Sequence, residues 1–105
     1  MGAVGPNHFV ELINGRYAVY DKSGANNPDG TRTPVQFSTL NQFWLSCGVT
    51  PQGAFAFDPR ILYDPASQRW FASSVDNKRA PNKFMIAVSM CSEPTGRWTG
   101  FGNEA

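Results

Sequence analysis

Side chains able to do chemistry are few in this chain and lie far apart along it. His8 is the single histidine. A Ser-His-Asp nucleophile would have to recruit it, and no Gly-x-Ser-x-Gly elbow offers the serine. Glycosidic cleavage needs two carboxylates at a defined separation. Glu11, Asp58, Asp64 and Asp76 are the candidates. Asp64 is better explained by the turn it opens with Pro65, and Glu11 by ordinary strand alternation. The run Asp21-Lys-Ser-Gly-Ala-Asn-Asn-Pro-Asp29 could bring oxygens to calcium, but it lacks the spacing of an EF-hand loop and is read as a solvated loop. Cys47 and Cys91 are the two cysteines, with no C-x-x-C and no second pair to build a zinc site. A disulfide between them is a candidate if the parent protein is exported, and two small, partly buried thiols are the alternative. No catalytic residue, metal site or cofactor is assigned from these residues.

Binding is the other chemistry the sequence offers. Trp44 and Trp98, with Phe43, are candidate platforms for stacking a sugar ring, against the alternative of core or inter-sheet packing.

The elements that would carry these residues are short. His8-Phe-Val-Glu-Leu12 and Arg16-Tyr-Ala-Val-Tyr20 flank Asn14-Gly15, which predicts a hairpin with a type I′ turn. Residues 24–34 are loop. Asn41-Gln-Phe-Trp-Leu45 fits either a strand or one short helical turn, and residues 47–57 form a second loop. The segment Asp58-Pro-Arg-Ile-Leu-Tyr-Asp-Pro65 repeats Asp-Pro around a short apolar run. It predicts a strand at Arg60–Tyr63, a turn at Asp64–Gln68 and a return strand at Arg69–Val75. After a polar loop at 76–82, Lys83–Met90 alternates, with Phe84, Ile86, Val88 and Met90 on one face and Met85, Ala87 and Ser89 on the other. Arg97–Phe101 is a last strand. No stretch holds a 3.6-residue apolar period over ten or more residues, so little helix is expected.

Length and composition agree. A chain of 105 residues, 41% hydrophobic, 13% aromatic and broken by ten Gly and eight Pro, suits one small all-β region. The net charge of +1 leaves no electrostatic footprint for nucleic acid. No apolar run approaches the ~20 residues of a membrane-spanning helix. Residues 1–7 lack the pattern of a signal peptide, and both ends read as cuts through a longer protein.

Residues 58–101 thus form a four-stranded antiparallel meander of the size of one β-propeller blade, and residues 7–48 carry a weaker copy. A turn residue, Arg and an aromatic recur at Gly15-Arg-Tyr17, Gln68-Arg-Trp70 and Gly96-Arg-Trp98. The overlay places Asn7 and His8, and Asp58 and Arg60, at equivalent starts of innermost strands. Those positions would line a channel mouth, where they are candidate ligand contacts; the alternative is that Asn7 and Asp58 satisfy backbone N–H groups.

Val4-Gly-Pro-Asn-His8, Tyr20-Asp-Lys22, Asp58-Pro59 with Tyr63-Asp64, Arg69-Trp70, Ala87-Val-Ser89 and Pro94-Thr-Gly96 leading to Trp98 together resemble bacterial, mostly exported β-propeller proteins, loosely similar to sialidase-like repeat proteins. The resemblance implies radial sheets around a channel, in a parent protein that is extracellular or periplasmic. The strict Ser-x-Asp-x-Gly-x-x-Trp box is absent, and no arginine triad, tyrosine nucleophile or acid falls on matched positions.

The expectation is therefore an all-β fragment of a β-propeller (alternatively a two-layer β-sandwich) that binds carbohydrate or protein. Part of a sialidase-like glycoside hydrolase and a structural interaction module are the alternatives. Two sheets alone leave one apolar face bare on each side, so further blades or self-association are expected partners.

Overall fold

The structure, a computed structural model, describes residues 2–24, 26–50, 56–75 and 83–104. The loop predicted at 76–82, with Asp76, and residues 51–55 of the loop predicted at 47–57 lie outside these. The described chain builds two antiparallel four-stranded sheets, each in simple sequence order. Sheet A holds β1 (Gly2–Val4), β2 (His8–Ile13), β3 (Arg16–Asp21) and β4 (Gln36–Ser38). Sheet B holds β5 (Phe57–Asp64), β6 (Arg69–Val75), β7 (Lys83–Ser89) and β8 (Trp98–Glu104). One helix, α1 (Leu40–Ser46), lies between them in sequence. The all-β, antiparallel expectation holds. Sheet B follows the predicted meander closely, whereas sheet A starts earlier than residue 7 because β1 joins it, and ends at Ser38 before the helix.

Turn chemistry sets the hairpins. Asp64 accepts from the backbone N–H of Ala66 and Ser67 at 3.3 and 3.2 Å and from the Ser67 hydroxyl at 2.7 Å, closing β5 onto β6. At Asn14-Gly15 only the glycine takes a positive φ, +83°, so the turn is not the predicted type I′. The Asn14 side chain instead accepts the Asp58 N–H at 3.0 Å, tying the two sheets at that end. Asp58 itself sits at φ 52°, and the register shifts between Phe57 and Arg60, so the first Asp-Pro marks a β-bulge.

Residues 41–45, open to two readings by sequence, are helical because both ends are capped. Thr39 Oγ1 accepts the Gln42 N–H at 3.1 Å and Gln42 Oε1 accepts the Thr39 N–H at 3.0 Å, a complete capping box. At the other end Gly48, at φ +87°, donates to Leu45 O, and Val49 donates to Trp44 O, each at 3.0 Å. That is the Schellman arrangement.

The sheets face each other. β5 packs on β1 and β2, so the first strands of both sheets meet directly. Toward the last strands, α1 and the turn after it fill the space between β3 and β8. Phe43 stands 4.5 Å from the Tyr17 ring and 5.2 Å from that of Trp98, centroid to centroid. The Gly100 N–H donates to Cys47 O at 2.9 Å. The core between the layers contains Val10, Leu12, Tyr17, Val19, Leu40, Phe43, Trp44, Ile61, Trp70 and Met85. Small residues line the middle of sheet B's inner face beyond Ile61: its register partner Ala72 pairs with Ala87, and Ala87 with Gly100. A side chain at Gly5 would meet Trp70 Cζ2 at 2.4 Å, so the β1–β2 turn lies flat on that indole.

Candidate functional site

The residues expected at a channel mouth are not brought together. His8 opens β2, the second strand of its sheet, because β1 precedes it. Asp58 and Arg60 lie on β5, the first strand of the other sheet, and Asp58 is held by Asn14, just past the far end of β2. Six residues at ~3.3 Å each put the two ends of β2 about 17 Å apart. The overlay of Asn7-His8 on Asp58-Arg60 is corrected accordingly. Asn7 is exposed, and its carbonyl accepts the Lys22 N–H at 3.0 Å. His8 Nε2 is 3.5 Å from Glu93 Oε2, which places the start of β2 against the β7–β8 connection. Arg60 is exposed on the outward face of sheet B.

The other candidates sort by burial. Trp44 is fully buried and meets Phe43 edge-on at 5.3 Å, so it is core and not a stacking platform. Cys47 and Cys91 are free thiols, one buried and one exposed, which corrects the disulfide candidate. Burial pushes the Cys47 thiol up to about 12, against a weaker opposing hydrogen bond from Ser46, so it is not a thiolate nucleophile near neutral pH. The carboxylates of Asp21, Asp29 and Asp64 are held below the usual range, each by hydrogen bonds from its own turn: the Ser23 N–H, the Thr31 hydroxyl and the Ser67 hydroxyl respectively come first. Glu11 pairs with Arg16 at 3.2 Å. Among the described residues no group of three or more His, Cys, Asp or Glu gathers at one place.

Trp98 differs from Trp44. It is half-buried and forms one wall of a groove of about 460 Å³ where α1, β3, β4 and the start of β8 converge. Its Nε1–H donates to Pro94 O at 2.8 Å, fixing the ring. The Tyr17 hydroxyl lies 2.9 Å from the same carbonyl and 3.2 Å from Gln36 Oε1. One proton cannot serve both acceptors, and the shorter contact takes it. Desolvation raises the Tyr17 phenol well above its ordinary range, so it stays a neutral, fixed part of the wall. The exposed side chains of Gln36 and Arg97 border the groove with an amide and a guanidinium, and Met90 and Thr99 complete that side. The arrangement is an aromatic surface with hydrogen-bond donors and acceptors around it, suited to a flat, hydroxyl-bearing ligand.

Sequence reasoning named Trp98 and missed Gln36 and Arg97. Arg97 carried a signal, the turn-Arg-aromatic triplet. In all three copies the ring goes inward: Tyr17 and Trp70 are buried and Trp98 is packed against the core. The arginine between turn and ring then points away. No helix among the described residues is long and apolar enough to cross a membrane. Comparison with family models, with curated proteins and with solved structures gave no match to this chain.

Proposed function

We propose that the chain is a non-catalytic binding module, two blade-like sheets of a β-propeller protein acting outside the cytoplasm, whose groove beside Trp98 takes a carbohydrate. One observation carries the reading: a half-exposed indole, locked by its own hydrogen bond to Pro94, with Gln36 and Arg97 at the rim of the same groove. A rigid ring presents stacking area with little entropy left to lose, and the amide and guanidinium read hydroxyl positions. Of the carboxylates weighed for glycosidic cleavage, Asp64 is engaged in its own turn and Glu11 in an ion pair, which favours binding over hydrolysis at those two.

A glycan array followed by titration calorimetry on the best hit tests this. Trp98→Ala should weaken that hit at least tenfold, as truncation at a central aromatic contact does. Arg97→Ala, at an exposed side chain, should weaken it without changing the thermal midpoint. No binding across the array, or a hit that both variants bind as well as the parent chain, removes the reading.

A further inference from the structure

The two outward sheet faces are apolar to a similar degree. On sheet A, Val4, Phe9, Ile13 and Phe37 are 58, 37, 37 and 58% exposed. The register puts all four on the face turned away from sheet B: Val4 pairs with Phe9, Phe37 with Ala18 and Ile13 with Arg16. On sheet B, Leu62, Phe84, Ile86 and Phe101 are 54, 44, 44 and 62% exposed and share its outward face. Each face is grooved. Sheet A carries a depression of about 470 Å³ beside Phe9, Glu11, Arg16 and Tyr20. Sheet B carries one of about 400 Å³ beside Leu62, Phe71, Phe84 and Ile86.

We infer that copies of this chain stack head to tail, the outward face of sheet B on the outward face of sheet A of the next copy, and close into a ring. Three observations select a second copy as the occupant. First, the molecule already shows a sheet of type A covering a sheet of type B, and each copy has one spare face of each type. Repeating that stacking covers both. Second, area decides between one joint and two. Four strands ~4.8 Å apart, of seven residues at ~3.3 Å in most of sheet B, offer a footprint of about 440 Å². That is well short of the ~800 Å² per partner of a stable interface. The shorter strands of sheet A limit each joint further, so one joint alone does not hold, and a copy is retained only where closure engages both of its faces at once. Third, β1 and β5 touch directly while α1 separates β3 from β8, so the stack is a wedge. Wedges added by one repeated rotation curve back on themselves, and heterologous contacts that close make rings. Closed radial assemblies of such sheets hold four to eight, or about two to four copies of this chain.

The inference rests on the blade reading above and not on the groove, so assembly and glycan binding are read separately. Sedimentation velocity and native mass spectrometry of the 105-residue chain at about 50 µM should show one closed oligomer. Ile86→Glu spoils one face and Phe37→Glu the other, and each variant alone should be a monomer. Their equimolar mixture keeps one intact joint, too small to hold alone, and should also stay largely monomeric; a stable heterodimer would overturn the need for closure. If either glutamate variant loses its near-ultraviolet circular dichroism, Phe101→Ser and Val4→Ser replace the pair. A monomeric parent chain overturns the inference and leaves the faces to another polypeptide. So does a dimer that survives one of the two substitutions, which marks a self-complementary joint, or a polymer of indefinite length.

Discussion

Two buried serines in sheet B do opposite things. Ser89 Oγ accepts the Trp70 N–H at 2.8 Å and donates to Cys91 O at 2.8 Å, serving a backbone group that the β6–β7 ladder does not reach. Ser74, equally buried, has no partner for its hydroxyl. Ser89→Ala should therefore cost about 1–3 kcal/mol, the range for stranding buried polar groups, while Ser74→Ala should leave stability unchanged or raise it. Urea midpoints at constant slope check the contrast, and equal losses in both variants would refute it. Cys47 sets a pH limit. Its thiol is raised by burial from 9.0 to about 12 in the folded chain. Below pH 9 it is protonated in both states, and stability is fully present. Above that the unfolded chain ionises first, and stability falls as pH rises toward 12. Cys47→Ala should flatten this alkaline decline in the urea midpoint, leaving the later contribution of Tyr17; an unchanged slope would exonerate the thiol. None of these roles is legible from residue type. Ser74 lies in β6 and Ser89 at the end of β7, both at inward-facing positions, and only the register decides which finds a partner.

At the scale of elements, legibility followed local chemistry. The Asp64 turn and the strands beside it were readable because a carboxylate, a proline and alternating residues all lie within a few positions. The helix was half readable: Thr39, Gln42 and Gly48 are its start and stop signals, but seven residues are too few for an apolar period to show. β1 was not readable, since three residues including a glycine carry no pattern. Its absence from the reading displaced the strand overlay and, with it, the expected channel mouth. β7 shows a subtler effect. Its face with Phe84 and Ile86 points outward, and its face with Met85, Ala87 and Ser89, two of the three small, points inward. The inward face must admit neighbours at close range, so size decides where hydrophobicity alone would mislead. Gly100 is the extreme case. A Cβ there would lie 2.7 Å from Val49 Cγ2 and 2.9 Å from Cys47 Cβ. Gly100→Ala should cost on the order of 1–3 kcal/mol by forcing α1 away from β8. Chemical denaturation measures it, and a loss below the error of the fit would mean the turn yields freely.

For the whole molecule, the sequence conveyed a layered all-β body with spare apolar faces, because alternation and turn spacing are summed over many residues. The placing of a ligand groove was not conveyed. It depends on Gln36, Phe43 and Arg97 meeting across three elements that are far apart in the chain, and no local pattern encodes that meeting. The same distant contacts govern the outermost margin of the fold. β8 is the last strand of its sheet, and the Gly100 amide faces away from β7, as an unpaired donor on such a margin would. Long open margins recruit foreign strands and seed aggregates. Here the carbonyl of Cys47 occupies the amide midway along, so the helix that props the wedge also serves as a bolt against amyloid-like strand addition.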